Sequence, residues 1–223
     1  DFWISEVALE IGKIEFLLTH FEYGSLKIQS SLCGKFNVYN IAAAVSAAYT
    51  LGIEPLQISK GIVNMKYIPG RMEQCATNPM IFVDYAHTDD ALKNVLSTVS
   101  ELLNDRKLTL IFGCGGDRDI GKRAEMARAA EAFADKVVVT SDNPRTEAPE
   151  EIIDMIISGF KEPAAVTRCV DREEAILWAL GQAEKNDLVV IAGKGHEDYQ
   201  LIGDKRRAFS DVDTARKVLE GLG

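Results

Sequence analysis

The segment SDNPR at residues 141–145 places hydrogen-bond donors, acceptors and two opposite charges around a rigid proline. It follows the apolar run KVVV closely, so it stands where a buried strand ends. Asp, Asn and Pro are turn residues, and a plain turn is one interpretation. The other is a pocket for a charged ligand, because Arg presents a planar fork that suits a carboxylate and acidic side chains suit an ammonium.

The segment GCGGDRDIGKR at residues 113–123 is rich in glycine and basic residues. It falls one residue short of a phosphate-binding P-loop, because Arg123 stands where that loop needs a Ser or Thr hydroxyl to hold magnesium. We therefore expect no nucleoside-triphosphate P-loop here. The preferred interpretation is a loop whose backbone N–H groups and helix N-terminus favour an anion, with Arg118 nearby. A tight strand-to-helix turn is the alternative.

The segment DYAHT at residues 84–88 puts a carboxylate and an imidazole at the end of another strand. Asp84 and His87 could bind a sugar hydroxyl, a magnesium ion or a nucleotide. Thr88 is expected to cap the next helix, because its hydroxyl oxygen can accept a hydrogen bond from an N–H group of the first turn.

The segment AGKGHED at residues 192–198 combines two glycines with charges of both signs. Gly193 and Gly195 suit a backbone that approaches another group closely. Lys194, His196 and Glu197 offer both signs of charge to a ligand. A solvated polar loop is the alternative.

The segment GKFNVYN near the start of the chain contains two asparagines one helical turn apart. If a helix begins there, Asn37 and Asn40 lie on one face of it. Paired amides can bind the edge of a purine. An N-cap is the simpler interpretation, because Asn is a good capping residue.

The elements that must position these loops alternate between strands and helices after about residue 80. The apolar runs MIFVDYA, KLTLIFG, KVVVTS, AAVTRCV and DLVVIAG are each followed by a helical pattern. Alternation with short loops predicts an α/β fold, a mostly parallel sheet with helices on both faces. Ligands bind outside the carboxyl ends of such strands, which is where the polar segments stand.

The first part of the chain has a different pattern. The runs IEFLLTHF and SLKIQSSL predict a hairpin joined at Glu22-Tyr23-Gly24. A helix is predicted from Val38 to Leu51 with Gly52 as its stop, and EPLQISKGIVNM is predicted as a second helix with Pro55 in its first turn. KYIPGRMEQ is expected to be an extended linker, so the domain boundary is placed between residues 70 and 71.

Composition excludes several classes of protein. A net charge of −9 argues against a general nucleic-acid or anionic-membrane binder, because both need a positive field. Four cysteines without a CxxC pair make zinc and disulfides unexpected and fit a reducing cytosol. The sequence contains no run of 18 apolar residues, so no membrane span is predicted. The opening residues DFWISEV lack an initiator Met, and we expect a piece of a longer protein.

Taken together, the motifs resemble one enzyme family. GKFNVYNIAAA, IPGRME, VDYAHTDDAL, FGCGGDRDIGKR, SDNPRTEAPEEI and AGKGHEDYQ follow one another in the order found in the Mur ligases. The resemblance runs from about residue 34 to the end. It is to the C-terminal half of MurE-type members, because DNPR is specific to those that add meso-diaminopimelate.

The resemblance implies both a fold and a reaction. Residues 1–70 would be the end of a central ATP-binding domain, and residues 71–223 a C-terminal Rossmann-like domain. The enzyme would be a cytoplasmic monomer of peptidoglycan synthesis that uses ATP and Mg²⁺. ATP would phosphorylate the carboxylate of UDP-MurNAc-L-Ala-D-Glu, and the amino group of meso-diaminopimelate would attack the acyl phosphate, giving the amide, ADP and phosphate.

The resemblance also implies two sets of binding residues. The ATP set is Asn37, Asn40, Arg71, Asp84 and His87. The two asparagines would contact adenine, Arg71 a phosphate and Asp84 the ribose, with His87 close to the nucleotide. The diaminopimelate set is Arg118, Asp142, Asn143, Arg145, Gly193 and Glu197. No catalytic residue and no metal ligand is assigned to this half.

The sequence departs from the family pattern in a few places. Asp89 and Ala124 stand where proline is usual, both in first helical turns. The magnesium-binding P-loop and the modified lysine of the family lie upstream, so this chain alone is not expected to ligate. Two alternatives remain: a folylpolyglutamate synthetase, which is not expected to carry DNPR, and a non-catalytic module that binds an amino acid or a nucleotide.

Overall fold

The computed structural model describes residues 1–22, 24–101, 103 and 105–222. The chain divides into two compact units, Asp1–Ile68 and Pro69–Gly223. This division falls two residues before the predicted boundary. No helix among the described residues combines the length and the apolar composition that crossing a membrane requires.

The first unit is a three-stranded antiparallel sheet with two helices. The sheet has the order β1-β2-β3. Its elements are β1 (Phe2–Glu10), β2 (Lys13–His20), β3 (Gly24–Ser30), α1 (Lys35–Thr50) and α2 (Pro55–Asn64). The predicted hairpin is β2–β3, although Tyr23 of its predicted turn lies outside the described residues. Helix α1 begins three residues before the predicted start, because Gly34 with φ 93° turns the chain into it.

The core of the first unit follows from two periodicities. Alternate residues of β2 are buried, including Phe16 and Leu18, as expected for a strand with one covered face. Val38, Ile41 and Val45 of α1 recur at helical spacing and pack in the same cluster.

The second unit contains the predicted α/β fold. Its six-stranded sheet has the order β4-β5-β9-β6-β7-β8. The strands are β4 (Glu73–Thr77), β5 (Met80–Asp84), β6 (Leu108–Phe112), β7 (Lys136–Val139), β8 (Thr167–Arg168) and β9 (Leu188–Ala192). β4 is antiparallel to β5, and the other neighbours are parallel. The prediction of a mostly parallel sheet is confirmed.

Helices connect and cover these strands. They are α3 (Asp89–Ser100), α4 (Gly121–Phe133), α5 (Pro149–Ile157), α6 (Arg172–Gly181) and α7 (Asp211–Leu222). α3, α4 and α5 pack side by side, whereas α6 packs against α7. Every residue of β6 and β9 is buried, as expected for central parallel strands covered on both faces.

Three parts of the second unit differ from the prediction. The last two residues of the expected linker begin β4, an edge strand. The run AAVTRCV forms a short 3-10 helix (Pro163–Ala165) and only two strand residues, because β8 lies at the other edge and has one neighbour. An antiparallel hairpin, β10 (Tyr199–Ile202) and β11 (Lys205–Ala208), was not predicted.

Candidate functional site

A pocket of about 280 Å³ lies at the carboxyl ends of four neighbouring strands, β5, β9, β6 and β7. The loops that follow these strands line it, together with Thr88, the N-cap of α3, and the N-terminal part of α4. Its charged and histidine lining residues are His87, Arg118, Asp119, Lys122, Arg123, Asp142, Arg145 and Glu197. This is the edge at which open parallel sheets bind ligands.

A buried lysine, Lys194, supports three residues that line the pocket. The side chain of Lys194 has no solvent exposure. Its Nζ lies 3.3 Å from Asp142 Oδ1, 3.1 Å from Asn143 Oδ1 and 3.1 Å from Glu197 Oε2. The Tyr199 ring adds a cation–π contact at 5.5 Å. Lys194 therefore fixes two acidic side chains and one amide in a single arrangement.

Asn143 joins the pocket to the unpredicted hairpin. Its Nδ2 donates to Glu197 Oε2 at 2.9 Å, and its Oδ1 accepts from the backbone N–H of Leu201 at 2.9 Å. Gln200 Nε2 donates to the carbonyl of Asp142 at 3.0 Å. These hydrogen bonds from β10 fix the position of the SDNPR loop.

Arg145 sits in an unusual backbone conformation, with φ 52°. Its N–H donates to the Leu201 carbonyl at 3.0 Å, and its carbonyl accepts from Gly203 N–H at 2.6 Å. Its Nη1 donates to the Gly116 carbonyl at 2.7 Å. Within the described part of the chain, the hydrogen bonds of this guanidinium involve only Nη1, so Nε and Nη2 remain able to bind a carboxylate.

The glycines of the segment at residues 113–123 let its backbone pack closely against the loop that follows β7. A Cβ on Gly113 would overlap the carbonyl oxygen of Thr140, and one on Gly116 would overlap that of Pro144. Gly116 N–H donates to the Asn143 carbonyl at 2.9 Å. Asp117 N–H donates to Glu147 Oε1. The prediction of an anion site built from this loop's amides is wrong for these two groups, because both are already used.

Arg123, at the hydroxyl position of a P-loop, forms a structural ion pair. Its side chain is 2% exposed, and Nη2 lies 2.8 and 2.9 Å from the two carboxylate oxygens of Glu147. Hydrogen bonding from Arg123 is the main cause that lowers the pKa of Glu147 below its ordinary value. The pair ties the start of α4 to the segment after SDNPR.

A second buried arginine, not singled out from the sequence, lies beneath the pocket. Arg172 forms a two-pronged ion pair with Asp211 and donates to the Ala192 carbonyl at 2.9 Å and the Ser141 carbonyl at 3.4 Å. Those carbonyls immediately precede Gly193 and Asp142. Arg172 thus connects the loops that follow β7 and β9.

The C-terminal unit matches a known family model. Residues 70–195, more than half of the chain, match the model described as "Mur ligase, glutamate ligase domain". The chain belongs to the Mur ligase family. The resemblance inferred from the motifs is confirmed.

Curated relatives of this Mur ligase chain share one name. The chain is 46% identical over 195 residues to the UDP-N-acetylmuramoyl-L-alanyl-D-glutamate–2,6-diaminopimelate ligase of Fusobacterium nucleatum, covering 86% of the chain and 40% of the relative. It is 41% identical over 226 residues to the ligase of that name from Geobacillus kaustophilus, covering 100% and 46%. The chain spans less than half the length of these relatives.

Solved structures agree with the fold. A structure of a ligase with the same name is 39% identical, with a TM-score of 0.71, and covers all of this chain and 46% of that one. Folylpolyglutamate synthase from Thermotoga maritima is 21% identical, with a TM-score of 0.69, covering 86% of this chain and 44% of that one. At that identity, the second match shows a shared fold alone.

In this Mur ligase chain, all six residues of the predicted diaminopimelate set line the one pocket: Arg118, Asp142, Asn143, Arg145, Gly193 and Glu197. His87 of the predicted ATP set lines it as well. Lys194, which supports this set, was noted among the charges of AGKGHED but was not assigned to it. Its signal was a charged residue between two glycines directly after a buried strand.

The predicted ATP residues of the second unit surround Tyr85 and the end of β5. Arg71 lies over the Tyr85 ring at 4.8 Å, and the His87 ring is 4.5 Å from it. His87 Nδ1 lies 2.8 Å from the Tyr85 carbonyl oxygen. Thr88 Oγ1 accepts from Ala91 N–H at 3.2 Å, which confirms the predicted cap of α3.

Asp84 has a structural use that the sequence did not suggest. Its Oδ2 accepts from Met72 N–H and its Oδ1 from Ala86 N–H, both at 2.8 Å. Burial raises the pKa of the carboxyl above its ordinary value, although these two hydrogen bonds and Arg71 act in the opposite direction. The ribose contact stays a prediction.

Asn37 and Asn40 belong to the first unit and differ in exposure. Asn37 is buried, and its Nδ2 donates to the Cys33 carbonyl at 2.7 Å. Asn40 is exposed and donates to Asn37 Oδ1 at 3.2 Å. Asn37 therefore orients Asn40, and contact with adenine stays a prediction for both. Within the described ranges, no three His, Cys, Asp or Glu side chains are grouped as metal ligands.

Proposed function

We propose that this chain is the C-terminal half of an ATP-dependent ligase that adds meso-diaminopimelate to UDP-MurNAc-L-Ala-D-Glu in cytoplasmic peptidoglycan synthesis. The observation that carries the proposal is the meeting of Arg118, Arg145, Asp142 and Glu197 in one pocket. Names of relatives at 40–46% identity support the same activity.

The charges of the pocket suit the free end of diaminopimelate, which carries a carboxylate and an ammonium. Arg145 keeps Nε and Nη2 for a carboxylate, and exposed Arg118 can supply a second guanidinium. Asp142 and Glu197 form the acidic wall that faces an ammonium. A planar guanidinium and a fixed carboxylate pair also impose an orientation on the ligand.

The role of these residues in the reaction is positioning. ATP would supply the energy by converting the peptide carboxylate to an acyl phosphate. The pocket would hold one end of the amino acid, so that the amine at its other end reaches the activated carbonyl. Holding reactants in attack geometry removes much of the entropic part of a barrier.

The predicted nucleotide contacts remain part of the proposal. Exposed Arg71 and His87 flank the ring of Tyr85. The Arg71 guanidinium and the His87 imidazole could together bind a phosphate there. Asp84 would accept hydrogen bonds from the ribose hydroxyls with the carboxylate lone pairs that the Met72 and Ala86 N–H groups do not use. Asn40 would meet adenine from the first unit, with Asn37 behind it. Mg²⁺ would bind mainly to upstream residues.

The test is phosphate release by the full-length protein with ATP, Mg²⁺ and UDP-MurNAc-L-Ala-D-Glu, with one amino acid added at a time. We expect release with meso-diaminopimelate. Release with glutamate and a folate instead would indicate a folylpolyglutamate synthetase. Calorimetric binding of diaminopimelate by the full-length protein, without any turnover, would indicate a binding module and refute the ligase.

A further inference from the structure

We propose that the side chains of Asp117 and Thr146 position the two arginines of the amino-acid pocket, Arg118 and Arg145, and thereby set how tightly the pocket binds a ligand carboxylate. The inference rests on the proposed function. It assigns a positioning role to two exposed residues that lie beside the pocket rather than in its lining.

Hydrogen bonds in both directions join the loop after β6 to the loop after β7. Thr146 Oγ1 donates to Asp117 Oδ1 at 2.6 Å, and the Thr146 N–H donates to Asp117 Oδ2 at 3.4 Å. In return, the Asp117 N–H donates to Glu147 Oε1 at 2.6 Å. Each loop thus supplies a carboxylate that accepts from the other loop, so the two loops are fixed against each other.

The two pocket arginines adjoin these contacts in the chain. Arg118 follows Asp117, and its Nη1 donates to the Asp117 carbonyl at 3.3 Å. Arg145 precedes the Thr146 contacts, and its Nη1 donates across to the Gly116 carbonyl at 2.7 Å. A shift of one loop against the other would therefore change the distance between the two guanidinium groups.

Arg145 is held in a strained backbone conformation. Its φ of 52° lies in the left-handed region, which is uncommon for residues other than glycine and persists only where surrounding contacts enforce it. Its own N–H and carbonyl bond to Leu201 and Gly203 of the hairpin β10–β11. The next residue, Thr146, is held by Asp117 from the opposite side. Without the Thr146 contacts, Arg145 would be anchored by the hairpin alone, and its guanidinium could move away from Arg118.

The carboxylate of Asp117 also acts on the arginines through its charge. Hydrogen bonding from Thr146 is the main cause that lowers the pKa of the Asp117 carboxyl below its ordinary value, and the charges of Arg145 and Arg118 lower it further. Asp117 is therefore ionised at neutral pH. Its negative charge reduces the repulsion between two guanidinium groups that must face the same ligand carboxylate.

The first test replaces Thr146 by Val, which keeps the shape of the side chain and removes the hydroxyl donor. In the full-length protein, KM for diaminopimelate should rise about three- to tenfold, the usual effect of one hydrogen bond, with little change in kcat or in KM for ATP. Lysine, which lacks the distal carboxylate, should inhibit the variant and the unmodified protein equally. Thr146→Ser keeps the hydroxyl and should restore most of the loss.

Thr19→Val is the matched control, because the Thr19 hydroxyl bonds to Ser25 on an exposed part of the first unit. It should leave KM for diaminopimelate unchanged. Asp117→Asn is the second variant, since Asn tolerates the φ of 54° at this position and removes only the charge. KM for diaminopimelate should rise at least about threefold in it, because a charge-assisted hydrogen bond becomes a neutral one.

The last test combines Thr146→Val with Arg145→Lys. Because the hydroxyl acts through the placement of the Arg145 guanidinium, Thr146→Val should change KM for diaminopimelate less than about twofold once that guanidinium is gone.

Two results would overturn the inference. One is an unchanged KM for diaminopimelate in both Thr146→Val and Asp117→Asn. The other is an equal effect of Thr146→Val with and without Arg145→Lys, which would make the hydroxyl independent of Arg145. An unmodified full-length protein that releases no phosphate with diaminopimelate would instead refute the proposed function itself.

Discussion

Arg172 and Asp211 form a buried, two-pronged ion pair, with Nε 2.7 Å from Oδ1 and Nη2 2.8 Å from Oδ2. Neither side chain is exposed to solvent. The pair joins the first turn of α6 to the first turn of α7, and Arg172 also holds the carbonyls of Ser141 and Ala192. The carboxyl ends of β7 and β9 are therefore connected through one guanidinium.

Asp211→Ala should lower the free energy of unfolding of the chain by about 3–5 kcal/mol, because it leaves a buried guanidinium without its counter-charge. Urea denaturation followed by circular dichroism measures the change. Asp198→Ala is the matched control, since the Arg206–Asp198 pair is 64% and 81% exposed and should contribute at most about 1 kcal/mol. Similar effects of the two variants would contradict this account of Arg172.

Arg145→Ala in the full-length protein should weaken the use of diaminopimelate by about 30- to 4,000-fold in kcat/KM. That range corresponds to about 2–5 kcal/mol for the loss of one partner of a partly buried charge pair. Arg145→Lys should restore part of the activity, because it keeps the charge and loses the planar fork. KM for ATP should change little.

Arg207→Ala is the control for Arg145, because its side chain is 52% exposed and lies outside the pocket. If Arg145→Ala leaves the preference for diaminopimelate over lysine intact, the residue only shapes the turn.

Gly116→Ala should destabilise the chain and weaken diaminopimelate binding together, because the added Cβ would overlap the Pro144 carbonyl and push the SDNPR loop away. We expect a loss of about 1–3 kcal/mol in unfolding free energy, the usual cost of overpacking. Gly181→Ala, at the end of α6 with open space around its Cβ position, should be neutral or stabilising by up to about 1 kcal/mol. Thermal unfolding compares the pair, and equal effects would refute the packing argument.

Glu147→Gln should remove a pH-dependent part of stability. Because Arg123 lowers the pKa of folded Glu147 below the ordinary 4.5, its contribution is fully present above pH 4.5 and is lost as pH falls through the folded-state pKa. The stability difference between unmodified chain and variant should therefore be largest near neutral pH and shrink below pH 4.5. Urea midpoints from pH 7 to pH 3 measure it, and a difference that grows on acidification would contradict the assignment.

The sequence predicted the loops of the site better than their contacts. The apolar runs located the parallel strands. Because ligands bind at the carboxyl ends of such strands, SDNPR and AGKGHED were expected at the same edge of the sheet. The contact of Lys194 with Asn143 joins residues 51 positions apart and depends on strand order. The placement of β9 between β5 and β6 came only from the structure, because alternation gives the succession of strands and not their neighbours.

The hairpin β10–β11 had a signal that the sequence interpretation did not use. Gly203 and Asp204 separate two strand-like runs, and Gly203 has φ 57°, which suits a two-residue hairpin turn. The role of the hairpin was not predictable in the same way, since Leu201 and Gly203 act through backbone groups that any residue type carries.

The central position of β9 has a consequence for synthesis on the ribosome. β5 and β6 are translated long before β9, yet both pair with it. A nascent chain that has not yet released residues 188–192 leaves both strands with an unpaired edge, which invites association with other chains. The same late segment precedes Lys194 and Glu197, so the sheet and the pocket are completed together. A polypeptide that ends before residue 188 therefore lacks both the strand that joins β5 to β6 and two residues of the pocket, Gly193 and Glu197.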